Sequence, residues 1–136
     1  MSLIRVACIA AALALAGCAA HSPMIVKNTT DVQSKTTMTY EAHKEKVLFL
    51  RAPMPANVKV EQIGLIEAGK VWYGGSEDIL QQMAEKARSL GADAVVEVST
   101  WHQPSGFSWS APHGRGMAVK VVDKGVDLKK LGGEWY

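Results

Sequence analysis

The chain has 136 residues, with 15 basic against 13 acidic side chains, a formal charge of +2 and only two cysteines. That size allows one small domain. A near-neutral balance with no charge run argues against a nucleic-acid partner, and two cysteines cannot build a disulfide framework.

Arg5 followed by the apolar run Val6 to Leu15 predicts an export signal, because the run is too short to span a bilayer as a lasting helix. The run closes on Leu15-Ala16-Gly17-Cys18, which resembles the lipobox of bacterial lipoproteins. The resemblance implies cleavage after residue 17 and acylation of the Cys18 thiol. The other cysteine, Cys8, lies inside the segment that would be removed, so Cys18 would keep no disulfide partner. Loss of Arg5 with the leader lowers the formal charge from +2 to +1. Ala19 follows the acylated position, and by resemblance to sorting rules in enteric bacteria this implies an outer-membrane lipoprotein facing the periplasm.

Residues 18–45 are polar, rich in Thr, Ser, Lys and Asn, and show no sustained apolar period. They predict a flexible tether, which as a coil would span roughly 30 Å. Val47 to Leu50 predicts an edge strand, stopped by Pro53 and Pro55. Val58 to Ala68 predicts a strand whose apolar parity slips at Gln62-Ile63-Gly64, as a β-bulge near Gly64 would make it do.

Glu77 to Leu90 predicts a helix, with Ile79, Leu80, Met83, Ala84, Ala87 and Leu90 on its apolar face. Ser76 is the expected cap and Gly91 the expected left-handed C-terminal residue. The glycine-rich turn ahead of this helix admits a second reading, as a holder for an anion. Ala94 to Thr100 then predicts a central strand, and Met117 to Val122 a second one. Strand, helix and strand predict a parallel right-handed crossover, and the last two strands a hairpin with a long loop. The expected fold is α+β, a small mixed sheet with one packed helix in β-α-β-β order. Residues 46–125 form the expected domain, and 126–136 a tail with a short amphipathic piece.

The stretch Ala87-Arg88-Ser89-Leu90-Gly91-Ala92-Asp93-Ala94-Val95-Val96, with Gly116-Met117-Ala118-Val119-Lys120, resembles the YbjQ-like family, described as heavy-metal-binding. A weaker likeness runs to the related domain of the Rcs envelope-stress sensor lipoprotein. The resemblance covers roughly Val58 to Val122. It implies the fold and, since the YbjQ-like fold is seen as a homopentamer, self-association. The chain lacks the family's long insertion after the first strand and the paired cysteines of the Rcs sensor.

Trp101 to Gly116 is the unusual segment: a hairpin needs only a few connecting residues, and long ordered loops tend to carry function. Trp101, His102, Phe107, Trp109, His113 and Arg115 make it a candidate loop for a protein partner or a second copy of the chain. The aromatics admit a structural reading as lids on an open sheet end. His102 and His113, with His43 or Glu97, make a candidate zinc or copper site, since imidazole suits both ions. Two histidines fall short of the three or four ligands such sites use, and solvated or backbone-bonded rings are the alternative. A hydrolase on Ser105 or Ser108 with His113 would lack a nucleophile elbow. The expectation is a non-enzymatic, membrane-anchored envelope lipoprotein with no resident cofactor, acting as an interaction or envelope-stress module; the alternative is a metal-binding envelope protein.

Overall fold

The computed structural model describes residues 28–106 and 108–136. The expected leader, Cys18 and Phe107 therefore lie outside the described residues. Six strands form one mixed sheet: β1 (Asn28–Ser34), β2 (Leu48–Phe49), β3 (Val60–Lys70), β4 (Ala94–Ser105), β5 (Ser108–Val121) and β6 (Glu134–Trp135). Their order across the sheet is β1-β3-β5-β4-β2-β6. One helix, α1 (Ser76–Ser89), lies on one face, and a short 3-10 turn spans Leu128–Leu131. The class is α+β, as the periodicities predicted.

The helix forms because Ile79, Leu80, Met83, Ala84 and Ala87 recur on one stripe and are all buried. Its N-terminus differs from the expectation. Gly75, not Ser76, is the capping residue and no side chain caps it from that position. Instead the Asp78 carboxylate, three residues into the helix, reaches back to the Gly75 amide. The same carboxylate pairs with Lys70 at 2.5 Å, which draws its pKa below the usual aspartate value. The anion expected at this helix end is therefore supplied by the chain itself. At the other end Gly91 takes φ 74°. The Ala92 amide donates to Ala87 O at 3.0 Å and the Gly91 amide to Arg88 O at 3.1 Å, the paired bonds of a Schellman turn.

Alternate strand residues build two cores. Val47, Phe49, Ile66, Val95, Val98 and Ala118 face the helix. Leu48, Leu50, Val96 and Val119 face away from it and are covered by Met54, Leu128, Leu131 and Trp135. The bulge expected near Gly64 is present, as a register shift between Gln62 and Gly64 where β3 pairs with β5. A second shift lies between Val96 and Ser99, where Glu97 adopts φ 54°.

Four expectations need correction. First, the polar segment after Cys18 is not a tether as far as residue 45: Asn28–Ser34 pair antiparallel with β3 over their whole length. Only Val32 there packs against the helix-side core, so an edge strand contributes one apolar residue and no readable period. Tyr40 and His43 then strap the end of the helix, with Tyr40 against the core and the His43 Nε2 2.7 Å from Ala92 O. Second, Val47 to Leu50 is interior, since β2 lies between β4 and β6. Third, the C-terminal residues are not a tail: β6 pairs with β2, and the Tyr136 ring packs on Phe49 at 4.9 Å. Fourth, the strands flanking the helix are parallel but not adjacent, because β5 inserts between them and pairs antiparallel with both.

Candidate functional site

Trp101 to Gly116 is not a loop. It is the outer half of a β4–β5 hairpin, closed by a turn in which Gly106 takes φ 56°. The two prolines of this segment sit where a strand tolerates them. Pro112 lies one step past His113, the last β5 residue paired to β3, and Pro104 lies far beyond the two β4 residues paired to β2.

The register separates the two candidate histidines. His113 opposes Trp101 and His102 opposes Pro112, so consecutive pairs place the two imidazoles on opposite faces. The His102 Nε2 lies 3.3 Å from Gly74 O, in the turn that opens the helix. His113 lies on the helix-free face against Gly69, where an added Cβ would fall 2.4 Å from its Nδ1. A shared ion would require one ring to change face. Among the described residues no group of three His, Cys, Asp or Glu side chains could hold a metal ion. His43 is committed to the helix strap and Glu97 to the β4 bulge.

The serine reading fails on distance. Ser105 and Ser108 face each other at the turn, and Ser108 is buried with its Oγ accepting from the Ser110 amide at 3.2 Å. The Trp101–His113 pair lies four residues further along β4, roughly 13 Å at a strand's rise.

What the hairpin does assemble is a groove of about 220 Å³ on the helix-free face. Thr29 and Asp31 of β1, Glu67 and Gly69 of β3, His113 of β5 and Trp101 and Gln103 of β4 line it. Asp31 opposes Glu67, and Glu67 opposes Arg115, which puts two acids and one base in a row across three strands. The Trp101 and His113 rings stack with centroids 6.0 Å apart and planes 20° apart, and the Trp101 Nε1 donates to Gln103 at 2.7 Å. A mixed row of charge beside a braced indole can recognise a polar surface. It contains no paired nucleophile and base.

Burial, reinforced by the charge of nearby His102, lowers the His113 pKa from 6.5. Its Nε2 is buried and has no hydrogen-bond partner among the described residues. The folded state therefore binds this proton less readily than the unfolded state, and stability rises with pH across the window below 6.5. We expect the melting temperature to fall between about pH 7 and about pH 5, and the His113→Phe variant to lose that share of the fall. Equal pH dependence in both proteins, followed by calorimetry, would refute this.

A second feature escaped the sequence reading. Trp72 and Tyr73, in the turn between β3 and the helix, pack edge to face with centroids 5.4 Å apart and are 39% and 49% exposed. The Trp109 amide donates to the Tyr73 hydroxyl at 3.5 Å, and the Trp109 side chain is 82% exposed. The hairpin tip and the helix-opening turn thus form one aromatic end. The signal in the sequence is a Trp-Tyr pair ahead of two glycines, and nothing in it points to Trp109.

No protein-family model matches the chain, and no curated protein matches it. Among solved structures the chain is similar to the orthorhombic crystal form of FvfA, a Francisella virulence factor. The TM-score is 0.50 and the identity 13%, over 68% of this chain and 97% of that one. At that identity the likeness speaks to the fold and to nothing finer.

Proposed function

We propose that this chain is an envelope lipoprotein, acylated at Cys18 and held on the outer membrane facing the periplasm, whose YbjQ-like domain is a non-enzymatic binding module for a protein partner. The finer fold reading belongs to this proposal: β3, α1, β4 and β5 correspond to the β-α-β-β core that the family resemblance implies. Acylation rests on the charge, apolar run and lipobox of residues 1–18.

The observation that carries the binding role is the uncovered part of the helix-free face. Leu128, Leu131 and Trp135 cover that face over Leu48, Val96 and Val119, whereas Trp101 is left 38% exposed beside Arg115 and the Asp31–Glu67 row. An anchored indole in a polar rim is the composition of a protein-binding hot spot. The expected partner is a periplasmic or envelope protein, or a second copy of the chain.

The test is photocrosslinking in intact cells from a probe at Arg115, with a control probe at Glu85 on the exposed side of the helix. A discrete adduct from Arg115 that Trp101→Ala abolishes supports the reading, and an adduct of twice the chain's mass identifies self-association. The same adducts from both positions, or none from Arg115, would end it.

A further inference from the structure

The first described residue lies at the aromatic end. Asn28, the first residue of β1, opposes Lys70, the last of β3, and Trp72 and Tyr73 follow directly. The β4–β5 hairpin projects past this level, since His113 pairs with Gly69 and the strand continues outward to Ser108. Asn28, Trp72, Tyr73 and Trp109 thus share one end of the sheet. Ten residue steps separate Cys18 from Asn28, at most roughly 36 Å in any conformation. The eleven residues of β3 alone are about as long, so the aromatic end is confined within that distance of the anchor whereas the opposite end can lie up to about twice as far.

We propose that this aromatic end rests in the headgroup layer of the bilayer that holds the acylated Cys18. The inference relies on the acylation reading. Trp and Tyr suit that layer because each combines an apolar ring with a polar N–H or O–H, and both are enriched where membrane meets water. Lys70 and Asp78 at the same end neutralise each other at 2.5 Å, so the end carries no uncompensated charge from that pair against the lipid. Three exposed aromatics would hold a free protein only weakly. Anchored within a short span, the same contact becomes intramolecular and gains from a high effective concentration. This orientation leaves the Trp101 and Arg115 face standing along the side of the domain, open to a partner in the periplasm.

The experiment uses the full acylated chain reconstituted into phosphatidylcholine vesicles, with and without bromine on the lipid acyl chains. Flotation reports anchoring, and tryptophan fluorescence reports contact with lipid. The expected result is quenching in brominated vesicles that Trp109→Phe weakens, that Trp72→Phe and Trp109→Phe together largely remove, and that Trp101→Phe leaves in place. Trp109 is 82% exposed, so an unchanged melting temperature in Trp109→Phe will show the fold intact. A chain that floats with its tryptophans unquenched overturns the inference and leaves the anchor standing. A chain that does not float overturns both. Quenching that survives the combined Trp72→Phe and Trp109→Phe changes, or a photoprobe at position 109 that captures protein in place of lipid in native membranes, overturns the inference alone.

Discussion

Replacing Met83 with alanine is expected to lower the unfolding free energy by about 2–5 kcal/mol, the cost of removing a long core side chain and leaving a cavity. Met83 is 0% exposed and sits where α1 crosses β5. Its Sδ and Cε occupy the space over Gly114 and Gly116, where an added Cβ would come within 3.2 Å of each. The strand below offers no side chain that could swing into the hole, so relaxation has to come from the backbone or from Ile79 and Val98. That places the expected loss toward the upper part of the range. Urea denaturation of the two proteins measures it, and a midpoint shift too small to resolve would show that the helix does not depend on this contact.

On the lipoprotein reading, Cys18→Ser is expected to move the protein almost wholly from the membrane to the soluble periplasmic fraction. Two or more acyl chains anchor a protein durably, whereas one gives only marginal, reversible binding. Without any chain the aromatic end loses its effective concentration and cannot hold the domain at the surface. The domain itself should fold as before, because the sheet and both cores are built from Asn28 onward. Fractionation with a mass measurement of the native protein decides the matter. A Cys18→Ser protein that stays with the membrane would mean that something other than acylation holds it.

Much of the frame was legible in the residues. The α1 stripe, the glycine that ends it and the parity slip at Gly64 are local chemistry, and each has a signature within a few positions. The stretch from Ala87 to Val96 is explained in the same way: Gly91 turns the chain under Tyr40, and Asp93 bonds the Val121 amide and the Lys120 ammonium, both at 2.9 Å. These are structural duties, and they carry no chemistry of their own. The candidate site was legible only as a composition. Aromatics, histidines and an arginine were visible between Trp101 and Gly116, but their grouping was not.

The grouping came from pairing. A strand such as Asn28–Ser34 has one apolar contact, and it is a strand because β3 stands beside it; nothing within its own seven residues requires that. Trp101 to Gly116 reads as a loop because the strand patterns on either side stop at Thr100 and resume at Met117. In place, the prolines fall where a neighbouring strand has ended, and Gly114 and Gly116 let the helix approach the sheet.

By itself the sequence determined the helix with its C-terminal turn and the α+β class, because each depends on the order and spacing of near neighbours. Tertiary structure decided which residues share a face. It parted His102 from His113, joined Trp109 to Tyr73 across 36 positions, and brought Asn28 to the aromatic end. Side-chain facing in a sheet alternates at every residue and flips at every bulge, so it follows from register, and register is fixed between strands that are distant in sequence.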